Sequence, residues 1–245
     1  MTKGENPSAR GENAVSAMSG RQAIRAVTDT YTNVAVWLYS KIRFLVLRQP
    51  FLEEIGQYLP RDGRILDLGC GFGLFSLYFA MRQPTCRIVG VDLDARRIGY
   101  ARRSADKLQL DNVEYHVGSA LDWPVDRRFD AIYMLDLIHH VPAVRVADFL
   151  AKVSDLLTED GILLVKEVAD RPRYKMLFTL LLDRLMVGRE PIHYWPPSEF
   201  TKILENLGFS VMRHRMTDIL PYPHVLYVGR RRRDRQHRSD ATESG

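Results

Sequence analysis

The chain has 245 residues, 46% hydrophobic and 27% charged, an ordinary globular composition that excludes a fibrous or low-complexity chain. Of its net charge of +5, the stretch from Arg230 onward supplies +3, so the body is too weakly basic to argue for a nucleic-acid surface. Two cysteines, Cys70 and Cys86, make neither a disulfide framework nor a zinc set and fit a reduced, cytoplasmic setting.

Residues 1–20 lack the apolar core of a signal peptide and read as a disordered leader. Residues 21–60 are helical and amphipathic in pattern. Their middle, Asn33 to Leu47, is apolar except for Asn33, Ser40, Lys41 and Arg43, and is too short and too charged to span a bilayer. Three readings compete for it: a lid over a ligand cleft, a membrane-surface helix, and a helix packed on the sheet. The lid is favoured, with Tyr39 as a candidate substrate contact, and peripheral membrane contact is left open.

Ile65 to Gly73 (ILDLGCGFG) reads as the end of a buried strand followed by a tight glycine turn into the apolar helix from Leu74. That order lets backbone N–H groups meet a ligand closely. The dinucleotide fingerprint wants its third glycine or alanine where Leu74 stands, and no Walker lysine follows. Instead the pattern is D-x-G-x-G-x-G, with Asp67 two residues before Gly69. A carboxylate so near repels a diphosphate and suits a ligand carrying an ammonium group.

At this point the sequence resembles the class I S-adenosylmethionine (SAM)-dependent methyltransferases. The resemblance implies an α/β fold: a doubly wound, seven-stranded, mostly parallel sheet over residues 61–230. N-terminal helices are added to it, and a helical insertion (171–197) follows the fifth strand. It also implies SAM as cofactor, with Asp67 facing its methionine end and Gly69, Gly71 and Gly73 beneath it. A NAD-dependent enzyme is opposed by Leu74 and Asp67.

Cys86 to Asp92 reads as the second strand, ending in an acid 25 residues beyond Asp67. A carboxylate can accept from two vicinal hydroxyls, and in the family this residue holds the SAM ribose. Asp94 is the expected N-cap of the helix from Ala95 to about Leu108. Asn112 to Gly118 is the third strand. Gly118, Ala120, Asp122 and Pro124 then match a family pattern that Ser119 breaks, where an aspartate usually meets the adenine amino group. Leu93, Ser119, Ala120 and Asp136 complete the implied cofactor contacts.

Phe129 to Met134 is the fourth strand, and the open end of such a sheet is where ligands bind. The sequence after it, LDLIHHVP, holds neither an N-P-P-Y-like motif nor a cysteine, which argues against amino-group methylation of adenine and against the covalent route to 5-methylcytosine. It offers His139 as a general base for a hydroxyl and His140 as a substrate contact; both could instead pack structurally before a helix over Val144 to Leu157. Gly161 to Val168 is the fifth strand, ending in Glu167, a second candidate catalytic residue. Glu167, Asp170 and Asp136 are spaced too loosely for a convincing magnesium site.

Arg173 to Val187 is an apolar inserted helix, and His193, Tyr194 and Trp195 follow as an aromatic cluster suited to a lipophilic acceptor. His193 and Tyr194 are candidate substrate contacts. Ser198 to Leu207 reads as a capped helix, Phe209 to Met216 and His224 to Val228 as an antiparallel closing pair, and residues 230–238 as an exposed basic tail. The function expected is methyl transfer to oxygen or carbon of a small lipophilic or aromatic acceptor. The alternatives are an RNA or protein methyltransferase guided by the tail, and a SAM-binding protein without turnover.

Overall fold

The computed structural model describes residues 18–119, 127–168, 193–216 and 224–232. Seven strands form one sheet: β1 (Gly63–Leu68), β2 (Cys86–Asp92), β3 (Val113–Val117), β4 (Phe129–Leu135), β5 (Leu157–Val168), β6 (Phe209–Met216) and β7 (His224–Arg231). Their order is β3-β2-β1-β4-β5-β7-β6, with β7 antiparallel to both of its neighbours and the remaining pairings parallel. The order reverses between β1 and β4, so a crevice opens beyond their carboxyl ends.

Alternation along the strands feeds two cores. Ile65, Ala131, Tyr133, Ile162 and Leu164 face one side, under the N-terminal helices, α4 (Leu74–Arg82) and α5 (Ala95–Lys107). Leu66, Leu68, Ile132, Met134 and Leu163 face the other, under α6 (Val146–Asp155) and α7 (Pro197–Asn206). No helix among the described residues is long and apolar enough to cross a membrane.

The N-terminal segment is three helices: α1 (Gly20–Asp29), α2 (Val34–Val46) and α3 (Gln49–Gly56). Asn33 sits inside the apolar run because its side chain caps α2, accepting from the N–H groups of Ala35 and Val36. Ser19, assigned to the leader by composition, caps α1 in a capping box with Gln22. Asp94 caps α5 as expected, accepting from Arg96 and Arg97.

Several expectations are corrected. The helix expected from Val144 begins at Val146, after short 3-10 turns at Ile138–His140 and Ala143–Arg145. Helix α7 has no side-chain cap and starts on Pro197, whose fixed φ suits a first turn. Strand β7 runs on through Arg230 and Arg231, which pair with Ser210 and Phe209. The arginine run is therefore strand before it is tail: backbone pairing is blind to side-chain charge, and only the alternating faces matter. The leader before Met18, the inserted helix Arg173 to Val187, Ala120, Asp122, Asp170 and the tail beyond Arg232 lie outside the described residues.

Candidate active site

Strand β1 delivers the glycine corner. Gly69, Gly71 and Gly73 all have left-handed φ, at 72°, 55° and 81°, yet they do different things. A Cβ on Gly69 would lie 2.9 Å from Leu137, and one on Gly73 2.7 Å from the Tyr115 hydroxyl and 2.8 Å from Ala101. Those two glycines let neighbours pack against the corner. A Cβ on Gly71 would meet nothing within 4 Å. Gly71 alone of the three presents bare backbone to open space.

The expectation that the corner's N–H groups wait for a ligand is corrected. Gly69 and Cys70 donate to the Val91 carbonyl, Gly73 donates to Cys70, and Gly71 donates to Asp92 Oδ2 at 2.9 Å. Asp92 Oδ1 accepts the Asp94 N–H, also at 2.9 Å. One carboxylate thus clamps the corner to the end of β2, and each of its oxygens keeps a second lone pair for a ligand hydroxyl.

Asp67 lies behind the corner, 3% exposed, between Gly90 on β2 and Tyr133 on β4. Burial pushes its carboxyl up to about 7; the Tyr133 and Ser76 hydroxyls oppose this, and Asp92 adds to it. A cavity of about 710 Å³ opens beside the corner and joins Gly69, Asp92, Leu93, Ser119 and His140 with Arg145.

The ends of β4 and β5 carry the second cluster. Lys166 is fully buried, and its ammonium meets Asp136 Oδ1, while Arg43 of α2 donates to Oδ2 of the same carboxylate at 3.0 Å. Burial alone would raise the Asp136 carboxyl, but the two cations hold it well below the ordinary range. Glu167, the next residue, turns the other way. Its Oε1 accepts the Ile138 N–H at 2.7 Å, and its Oε2 lies 2.6 Å from His139 Nδ1. The Tyr194 ring stacks 5.6 Å from that of His139, whose carbonyl accepts the His193 N–H. The His140 ring is 4.2 Å away, and burial, then His139, push its imidazole down to about 4.

The family model described as a methyltransferase domain matches residues 39–214. The chain belongs to the methyltransferase-domain family. It is of the class I, SAM-dependent kind. It is 30% identical over 112 residues to an (S)-tetrahydroprotoberberine N-methyltransferase of Eschscholzia californica, a match covering 45% of this chain and 31% of that one. It is 29% identical over 160 residues to a ubiquinone biosynthesis O-methyltransferase of Pelagibacter ubique, covering 61% and 62%. This chain therefore spans about a third of the N-methyltransferase relative's length. The fold is shared with a magnesium protoporphyrin IX methyltransferase of Synechocystis PCC 6803 with bound SAH, with a TM-score of 0.62 at 18% identity, covering 85% of this chain and 91% of that one.

The methyltransferase's own residues fit SAM. The bare faces of Gly71 and Gly118 look onto open space, and Asp92 stands at the cavity rim with acceptor capacity to spare. Asp92 and Asp94 line the cavity, and Arg97, Arg145 and Lys152 line it too, so both signs of charge are at hand for a ligand that carries an ammonium and a carboxylate. Of the expected cofactor contacts, Gly69, Asp92, Leu93 and Ser119 share the cavity, with His140. The Asp136 carboxylate is engaged by Lys166 and Arg43, so a magnesium ion does not suit it: a metal there would face two cations. Among the described residues no group of three His, Cys, Asp or Glu could hold a metal. Tyr39, expected at the substrate, lies edge-on to Phe72 of the glycine corner at 5.2 Å.

Sequence reasoning missed Arg43 and Lys166. The signal was there for Lys166, a lone cation in an apolar strand, whereas Arg43 stands two residues from the exposed Lys41 and the run alone does not single it out.

Two outcomes test the corner. Gly73→Ala is expected to destabilise the fold by roughly 2–5 kcal/mol, from a left-handed backbone and overpacking together. Gly71→Ala is expected to cost only about 1–2 kcal/mol yet to weaken SAM binding more than tenfold by calorimetry. Equal effects of the two on stability would contradict this division.

A carboxyl raised from 3.8 to about 7 on folding loses native stability as pH climbs between those values, by roughly 4 kcal/mol in all. Asp67→Asn is therefore expected to raise the melting temperature of the cofactor-free chain more at pH 8 than at pH 5. The same change at both would refute the assignment.

Proposed function

We propose that this chain transfers the methyl of SAM to oxygen or carbon of a small, lipophilic or aromatic acceptor, acting in the cytoplasm. The observation that carries the reading is the His139–Glu167 pair at 2.6 Å, at the carboxyl ends of β4 and β5. When bound, the cofactor supplies a methyl already activated on a sulfonium. The protein then has to align the acceptor, exclude water and manage one proton.

His139 does the last. Glu167 accepts from its Nδ1, so proton uptake from the acceptor hydroxyl falls to Nε2, and the carboxylate stabilises the imidazolium that forms. The Ile138 N–H pins the other Glu167 oxygen, which fixes the pair in orientation. Tyr194 against His139, and Trp195 with its ring 4.7 Å from His193, offer flat apolar surface to a lipophilic acceptor. Arg43 on Asp136, and the Tyr31 hydroxyl on the Phe72 carbonyl, give α2 and the turn before it the grip of a lid over this end of the sheet.

A basic-nitrogen acceptor, the kind named for the N-methyltransferase relative, is the second reading, since an ammonium must also lose a proton before attack. An RNA or protein acceptor guided by the tail has less behind it, because the chain before Arg230 carries only +2 of the +5 net charge. The test is incubation with methyl-labelled SAM and panels of phenols, acids, amines, RNA and protein. Label is expected in a small lipophilic product; label in RNA or protein alone would overturn the reading. His139→Ala is expected to lower kcat about 10²–10⁴-fold while SAM affinity changes little, with Glu167→Gln following it in direction. Full activity in His139→Ala would return that histidine to a packing role.

A further inference from the structure

The faces of α2 do not match. Val36, Ser40 and Phe44 point into the core, as an amphipathic helix requires. The opposite stripe should be polar, yet Val34, Leu38, Lys41 and Leu45 lie along it at helical spacing, with Trp37 alongside. Val34 is 76% exposed, Leu38 52%, Leu45 60% and Trp37 40%. Four of the nine large hydrophobic side chains exposed among the described residues thus sit on this one 13-residue helix. Scattered exposed apolar residues need no explanation, but a contiguous stripe does.

Charge says what covers it. From Thr30 to Leu52 there is no Asp or Glu at all. Lys41 holds its ammonium 5.4 Å over the Trp37 ring, an apolar body with a cationic head at one level. Next to the first turn of α2 a second cavity, of about 340 Å³, is lined by Thr32, Asn33, Tyr100, Arg103, Ser104 and Lys107, and by no carboxylate. Arg103 lies over the Tyr100 ring at 4.6 Å, and Lys107 donates to the Thr30 carbonyl at 2.7 Å, which holds two cations at the edge of the apolar stripe. Asp106 is the one acid of α5 and is not among the lining residues.

We propose that the outer face of α2 is a docking surface for an anionic phospholipid bilayer: Val34, Trp37, Leu38 and Leu45 enter the headgroup–acyl boundary, and Lys41, Arg103 and Lys107 meet lipid phosphates. Trp and Lys at one depth are what an interfacial helix presents. A second copy of the chain is a poorer occupant, because a self-pairing face would bring the same cations together with no acid to offset them. The inner face of the same helix sends Arg43 to Asp136, so a docked α2 sets the acceptor end of the site against the membrane. The proposal goes beyond the acceptor reading and does not need it, since binding is measured without turnover.

The test is sedimentation of the full chain, without cofactor, with phosphatidylglycerol and with phosphatidylcholine vesicles. Partitioning is expected to be about tenfold or more stronger onto phosphatidylglycerol and to weaken with added salt. The double variant Leu38→Ser with Leu45→Ser, whose exposed positions leave the core intact, is expected to lose about tenfold or more of that binding, with circular dichroism and melting unchanged. Arg103→Glu is a second arm for the charge. No binding of the native chain, undiminished binding of the folded double variant, or a concentration-dependent dimer in place of vesicle binding would each overturn the proposal.

Discussion

A fully buried lysine cannot stand alone, and Lys166 is the constraint around which the carboxyl ends of β4 and β5 are arranged. Its ammonium needs a carboxylate, and Asp136 supplies it from the end of β4, in a left-handed backbone conformation that is uncommon for a non-glycine residue. The pair locks β4 to β5, with the Asp136 N–H on the Lys166 carbonyl as a further tie. Removing one partner of such a pair costs about 3–5 kcal/mol, because the other charge stays behind. Since strand residues alternate in direction, fixing Lys166 on one side puts Glu167 on the other, beside His139. Arg43 completes the set by joining α2 to the same carboxylate. One buried cation thereby sets the side on which Glu167 meets His139 and, through the shared carboxylate, anchors α2.

The cofactor end works by a different division. Gly69 and Gly73 allow Leu137, Tyr115 and Ala101 to pack tightly, and only Gly71 yields open space. The clamp is Asp92, which ties Gly71 and Asp94 to the end of β2 while keeping acceptor capacity. Asp67 lies behind the corner, where burial pushes its carboxyl up to about 7. Its burial costs the empty protein stability as pH climbs towards that value.

What the sequence made legible is what local residues determine. The glycine corner, the acid ending β2, the Asp94 cap and the antiparallel closing pair each depend on residues within a few positions, and each stands in the structure. Contacts between distant segments were visible only as irregularities. Arg43 and Asp136 are 93 positions apart, and nothing local pairs them. His139 and Glu167 could each be chosen for their chemistry, but their partnership comes from β4 and β5 being sheet neighbours. Arg230 and Arg231 looked like tail because charge was read where backbone pairing decides. Likewise, the continuous apolar pattern of residues 21–60 concealed breaks at Asn33 and Arg48, where caps and a proline end one helix and begin the next.

The bare backbone of Gly71 and the Asp92 carboxylate beside it fit an adenosyl amino acid better than a dinucleotide. Calorimetric titration of the purified chain with SAM, S-adenosylhomocysteine and NADH measures that choice directly. The account predicts saturable one-site binding of both adenosyl ligands and no heat from NADH. Tight NADH binding with silence toward both adenosyl ligands would contradict it.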